Sequence, residues 1–171
     1  AVLMRNRRIG CSMSGITQAM SKFGRREFLK MCDDGYKYIQ DCDTYYSEWL
    51  CIPKSVKTTS VKPSGTVSLL VGATPGIHYP ISQYYIRHVR LNDDSPYVQA
   101  CRDAGLNVIK DDQAPNTLIV QFPVEEKNFL KSADKATVFE KFANAADIQK
   151  WWSDNQVSGS IIFDKDKDKE Q

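Results

Sequence analysis

The residues best suited to chemistry lie in one stretch, Lys57-Thr58-Thr59-Ser60-Val61-Lys62-Pro63-Ser64-Gly65-Thr66-Val67-Ser68. A strand-like run enters a tight Pro-Ser-Gly turn, and small hydroxyl residues open a helix at once. The first amides of a helix have no internal partner, and the helix dipole adds positive potential there. Gly65 lets the backbone approach a ligand closely. Ser64, Thr66 and Ser68 add hydroxyl donors. The chemistry this suits is anion binding, and a phosphate fits. The stretch is not a Walker A loop, because no Gly-Lys-Ser/Thr follows at the required spacing. An ordinary capped helix after a strand has the same pattern, so these residues alone leave both readings open.

Other candidates are less specific. Gly72-Ala73-Thr74-Pro75-Gly76-Ile77-His78 is a second glycine-punctuated loop. Packed beside the first, it would wall a nucleotide pocket and bring His78 toward substrate; otherwise His78 is a loop histidine. Arg87, His88 and Arg90 either meet an anionic ligand or form the solvent-facing edge of a strand. Arg5, Arg7 and Arg8 suit nucleic acid or salt bridges at a strand entrance. No aromatic single-strand platform lies beside them. The five cysteines are odd in number and widely spaced, with no Cys-x-x-Cys. This argues against a disulfide framework or a zinc site and makes a reducing cytoplasm the expected compartment. His78 and His88 lack the spacing of a helical metal pair, so no metal is expected.

The elements that must position these residues alternate between strand and helix. Strands are expected over 5–12, 56–61, 84–91, 107–109, 117–122 and 157–163. The 107–109 and 117–122 strands form a hairpin across the Asp111-to-Asn116 turn. Apolar residues at helical spacing predict helices over 17–28, 27–50 and 136–152. Ser95 and Pro96 open another helix that Gly105 ends, and a short one covers 66–71. The class is α/β with mainly parallel strands. The tail 164–171 alternates in charge and is expected to fray.

At 171 residues the chain suits one domain, or one large piece of a bigger one. Its 42% hydrophobic content rules out disorder for most of its length. No apolar run reaches the roughly 20 residues of a membrane span. The net charge, +2 from 23 basic and 21 acidic residues, is too small to indicate nucleic acid or a membrane surface. Neither is expected as a partner.

Three segments together resemble the adenosylcobalamin-dependent (class II) ribonucleotide reductases, most closely the monomeric ribonucleoside-triphosphate reductase type. They are Asn6-Arg7-Arg8-Ile9-Gly10 with its Ser-Met-Ser-Gly continuation, Val61 to Leu70 through Gly76-Ile77-His78 and on to Tyr84-Tyr85-Ile86-Arg87, and Asp154-Asn155-Gln156-Val157-Ser158. The likeness runs from about Arg5 to Phe163. It implies that the chain is one half-barrel, with a hairpin excursion, of a ten-stranded α/β barrel. In the family, the stretch matching Pro63, Ser64, Gly65, Thr66, Val67 and Ser68 holds the substrate phosphates. The implied reaction replaces the ribose 2′-hydroxyl of a ribonucleotide with hydrogen. A thiyl radical generated through adenosylcobalamin abstracts the 3′ hydrogen, and a thioredoxin-like reductant restores the cysteines. The resemblance favours a monomer.

The family's radical cysteine lies in an Asn-x-Cys-x-Glu loop, and this sequence has none. By the resemblance that loop falls before Ala1, one reducing cysteine belongs to an earlier strand, and the shuttle cysteines fall after Gln171. No catalytic residue is therefore expected within the chain, and residues 1–163 are read as a fragment of the catalytic barrel. The alternative is a stand-alone phosphate- or nucleotide-binding module without catalysis.

Overall fold

The computed structural model describes residues 5–64 and 67–161. The tail from Asp164, together with Ile162, Phe163, Gly65 and Thr66, lies outside the described residues. The chain divides into two compact units, Ala1–Ile81 with Lys127–Gln171, and Ser82–Glu126.

The first unit begins with β1 (Arg8–Cys11), followed by α1 (Ile16–Phe23) and α2 (Arg25–Trp49). Gly24 sets the break between the helices, four residues before the expected end of the first. Its φ of +81° takes the chain out of helical space at almost no steric cost. Its amide donates to Met20 O at 3.0 Å, closing α1, and its carbonyl accepts Phe28 N at 3.1 Å, opening α2. Next come β2 (Lys57–Thr59) and α3 (Val67–Leu70). Both expected strands are shorter than the sequence suggests, because only Arg8–Cys11 and Lys57–Thr59 find a partner. They pair in parallel, with Arg8 opposite Lys57 and Cys11 opposite Thr59.

The core of this unit joins Ile16 and Met20 of α1, Phe28 and Cys32 of α2, Val61, Ile77, and Ile148. Trp151, Trp152 and Val157 pack against it. Ile148 belongs to α5 (Val138–Trp151), where Thr137 and Glu140 form a reciprocal capping box. One polar side chain is fully buried in this helix. Asn144 donates to Tyr79 Oη at 3.1 Å and accepts from Arg25 Nη1 at 2.6 Å. Burial of that amide is tolerated because both of its ends are hydrogen-bonded.

The second unit is a three-stranded antiparallel sheet in the order β3-β5-β4, with β3 at Tyr84–Asn92, β4 at Asn107–Lys110 and β5 at Thr117–Glu125. The 107–122 hairpin forms as expected, with Val108 opposite Val120. Helix α4 (Pro96–Asp103) links β3 to β4 and buries Val98. Ser95 occupies the N-cap through its carbonyl, which accepts Val98 N at 3.0 Å.

Two expectations need correction. A mainly parallel strand arrangement holds only for β1 and β2 among the described residues. The long strand β5 takes both β3 and β4 as antiparallel neighbours. A short turn can return a chain only antiparallel, whereas parallel neighbours need a long crossover. The strand expected over 157–163 also has no regular pairing in its described part, 157–161. The segment is nevertheless held by single bonds from Asn155 N to Thr59 O and from Ser158 N to Val61 O, each 3.1 Å.

Candidate functional site

The segment leaving β2 passes Thr59, Ser60 and Val61, all buried, before Lys62 and Pro63 emerge. Pro63 is exposed and Ser64 half-buried. Ser64 Oγ lies 2.8 Å from Ser14 Oγ, which ties the turn to the loop after β1. Val67 opens α3 with its side chain 69% exposed. Ser68 differs from the expectation of an outward hydroxyl. It is only 3% exposed, and its Oγ donates back to Ser64 O at 2.5 Å. Its carbonyl accepts Ala73 N at 2.9 Å. Ser68 therefore holds the turn closed from beneath. Gly65 and Thr66 lie between these two serines in sequence, outside the described residues.

The second loop packs beside the ends of the first: Ala73 N donates to Ser68 O, and a Cβ at Gly76 would lie 3.1 Å from Lys62 O. Gly15 N donates to Thr74 O at 2.8 Å. Gln18 Nε2 donates to Gly72 O, and Gln18 Oε1 accepts Thr74 N, both at 3.0 Å. Thr17 Oγ1 reaches Thr74 Oγ1 and donates to His78 O, both at 3.3 Å. The start of α1 is thus bonded along the length of the 72–78 loop.

His78 uses both ring nitrogens. Ser160 N lies 2.8 Å from Nε2, and Pro75 O lies 2.8 Å from Nδ1. A backbone amide can only donate, so Nε2 accepts. A carbonyl can only accept, so Nδ1 carries the proton. The hydrogen bonds fix this tautomer, which makes His78 a clamp between two chain segments.

The segment after α5 closes the arrangement. Lys62 Nζ donates to Gln156 O and Ser158 Oγ, each at 2.9 Å. Asn155 Nδ2 donates to Thr59 O at 2.6 Å and Ile9 O at 3.3 Å, touching both β2 and β1. Asp154 Oδ2 accepts from Thr58 N at 3.0 Å and Thr58 Oγ1 at 2.9 Å, while Oδ1 accepts from Tyr36 Oη at 2.9 Å. Burial pushes the Asp154 carboxyl up. The Thr58 amide, the Tyr36 and Thr58 hydroxyls and the Lys57 charge together outweigh it, and the group sits below the usual carboxylate range. The Tyr36 phenol moves the opposite way, raised by its hydrogen bond to Asp154, by burial and by the carboxylate charge.

The remaining candidates are engaged elsewhere. In the second unit, Arg87 stacks on Tyr85 at 5.7 Å, His88 Nε2 meets Gln121 Nε2 at 3.0 Å, and Arg90 pairs with Asp111 at 2.5 Å. Arg7 donates to Ser47 Oγ at 3.4 Å and to Pro53 O, bracing the turn after α2. The Cys32 thiol is buried and pushed up to about 11, so it is held as the unreactive thiol. Among the described residues no three His, Cys, Asp or Glu side chains gather to hold a metal ion. No helix among them is long and apolar enough to cross a membrane.

Of the three sequence segments singled out above, 6–15, the 61–78 part of the second, and 154–158 therefore meet at one place, the end of the β1–β2 pair. No family model matches the chain. Individual relatives do. A probable adenosylcobalamin-dependent ribonucleoside-triphosphate reductase of Dictyostelium discoideum is 47% identical over 167 residues, 98% of this chain and 22% of that protein. The adenosylcobalamin-dependent ribonucleoside-triphosphate reductase of Euglena gracilis is 47% identical over 95% of this chain and 22% of its own length. A crystal structure of a B12-dependent (class II) ribonucleotide reductase superposes with a TM-score of 0.88 at 33% identity, covering 99% of this chain and 28% of that one. The chain is homologous to a segment of the class II ribonucleotide reductases. It spans about a quarter of the length of the relatives it matches. The mixed α/β fold is that of the matching reductase segment.

The sequence reading places the 72–78 loop beside the first and misses what binds it. Lys62, Gln18 and Asp154 were not singled out as structural partners. The signal for Asp154 was present in the resemblance, since Asp154-Asn155 is one of its motifs. Nothing local marks Gln18, whose partners include groups 54, 56 and 109 residues away.

Proposed function

We propose that this chain is the substrate-phosphate-holding part of a reductase that converts ribonucleoside triphosphates to 2′-deoxyribonucleotides. The cradle is Pro63, Ser64, Gly65, Thr66, Val67 and Ser68. On this reading the backbone amides and small hydroxyls of the stretch supply the donors for the phosphates, while the Ser68 hydroxyl is bonded back to Ser64 O. The observation that supports this reading is the convergence of three distant segments around that turn. Ser14 Oγ meets Ser64 Oγ, Lys62 just before the turn donates to Gln156 O and Ser158 Oγ, and Thr17, Gln18 and Ser160 bond the neighbouring 72–78 loop. A rigid cradle loses less entropy when it binds than a mobile loop does.

In the whole enzyme β1 and β2 are neighbouring strands of a ten-stranded α/β barrel. A thioredoxin-type protein is the reductant, and the enzyme works as a monomer. Adenosylcobalamin, when bound, supplies radical generation, while the protein positions the substrate. His78 has both ring nitrogens engaged and His88 uses Nε2 on Gln121, so no described residue of this chain is assigned to the corrin. The charge of +2 is compatible with phosphate binding, since helix-start amides hold an anion without a basic surface.

The test is Gly65→Val in the full-length reductase. A branched side chain at the turn blocks backbone approach to phosphate. Equilibrium affinity for ribonucleoside triphosphate should fall at least about tenfold, the equivalent of one or two lost charge-assisted hydrogen bonds. Unchanged affinity would show that the phosphates bind elsewhere.

A further inference from the structure

The 156–161 segment has no regular secondary structure, yet side chains tie it to Lys62, the residue before the substrate turn, and to the 72–78 loop. Lys62 holds Gln156 and Ser158. His78 holds the Ser160 amide. Gly159 lies so close to Ile77 that an added Cβ would sit 2.6 Å from Ile77 Cδ1 and 3.9 Å from His78 Nε2. The His78 ring is oriented at its other end by Pro75 O, within the same loop.

We infer that His78 is a positioning residue for the substrate site. By donating from Nδ1 to Pro75 and accepting from Ser160 at Nε2, it fixes the 156–161 segment as a third wall of the phosphate cradle. The ligand is the triphosphate of a ribonucleotide, and the inference rests on the phosphate reading above. Removing the Nε2 acceptor frees the wall and weakens substrate binding while leaving bond-making chemistry alone. The effect is that of one neutral hydrogen bond, about three- to tenfold.

The test uses the full-length reductase and each of the four ribonucleoside triphosphates, with equilibrium binding measured without adenosylcobalamin and KM and kcat measured with it. His78→Asn keeps a donor toward Pro75 but cannot reach Ser160. His78→Gln places an amide oxygen near the former Nε2. The Asn variant should bind about three- to tenfold more weakly with kcat unchanged, and the Gln variant should recover most of that loss. Ser160→Pro removes the donor itself, so combining it with His78→Asn should add nothing further. Equal behaviour of Asn and Gln, a fall in kcat rather than a rise in KM, or additive losses in the double variant would overturn the inference. If Gly65→Val weakens binding and His78→Asn does not, only the role of His78 falls. If neither does, the phosphate reading falls with it.

Discussion

Asp154→Ala should open the floor of the site, and the size of the effect can be worked from its partners. Asp154 accepts the Thr58 amide, the Thr58 hydroxyl and the Tyr36 hydroxyl. Thr58 is completely buried. Deleting the carboxylate takes the acceptor away from two donors of a fully buried residue, at about 1–3 kcal/mol each. Tyr36 is half-buried and recovers a water, so it adds little. The expected cost is about 3 kcal/mol in local opening, a roughly hundredfold rise in amide exchange over residues 57–61. Asp154→Asn keeps one carbonyl oxygen for Thr58, and the Tyr36 hydroxyl can turn to accept from the new amide. Only the charge assistance is lost, about 1 kcal/mol and roughly fivefold in exchange. Hydrogen exchange of the full-length protein, read by mass spectrometry on peptides covering 57–61, separates the two. Equal effects of Ala and Asn, or protection unchanged in both, would refute the assignment of Asp154 as the acceptor for Thr58. The pH dependence gives a second check. A carboxyl lowered in the folded state contributes fully above its unfolded value of about 3.9, and the contribution is lost as pH falls through the lower folded value. After correction for intrinsic exchange, protection should hold from neutral pH to about 4 and fall only below it. The Asn variant should lack that acid limb.

Gly159→Ala forces a Cβ to within 2.6 Å of Ile77 Cδ1 and 3.1 Å of Cγ1. Ile77 is in the core and has little room to move, so melting should fall by an overpacking cost of about 1–3 kcal/mol, with triphosphate affinity falling alongside it. Thr137→Ala removes the side chain that accepts Glu140 N at 3.1 Å and breaks the capping box. It should speed exchange in the first turn of α5 by about 1 kcal/mol and leave triphosphate affinity unchanged, because α5 contributes its far end to the site.

Local chemistry made the element ends legible. Ser95 with Pro96 at the start of α4 and the Asp111-to-Asn116 turn carry their structural meaning within a few residues, whereas apolar spacing starts α5 at Ala136 and misses the Thr137–Glu140 capping box. Pairing was less legible, because it depends on competition among distant partners. The sequence of β5 is compatible with parallel or antiparallel neighbours. It becomes antiparallel on both sides once the 111–116 turn fixes β4 against it and β3 registers from Tyr84 opposite Glu125 to Asn92 opposite Thr117. The 157–161 segment has the alternating pattern of a strand and still forms none. Its polar atoms bond to side chains, Lys62 and His78, and to single carbonyls instead of to a continuous ladder.

The same distinction changes what the candidate site consists of. From sequence, only the stretch Pro63 to Ser68 reads as a source of phosphate contacts, and the other two segments carry the resemblance without an assigned role. In the structure most of their polar residues bond to one another. Asn155 joins Ile9 to Thr59, Asp154 anchors Thr58, Lys62 reaches Ser158, and Ser68 folds back on Ser64. These bonds span from 4 to 146 residues of sequence, and only a folded chain can make the long ones. A residue that recurs with a phosphate turn need not touch the phosphate. It can instead hold a backbone that would otherwise lose its shape, because a turn presenting bare amides cannot also bond them to itself. On the phosphate reading proposed above, Ser68 moves from the ligand contacts to the supporting bonds. Asp154, Asn155 and Lys62 are support of the same kind, and substitutions among them should change affinity through backbone order.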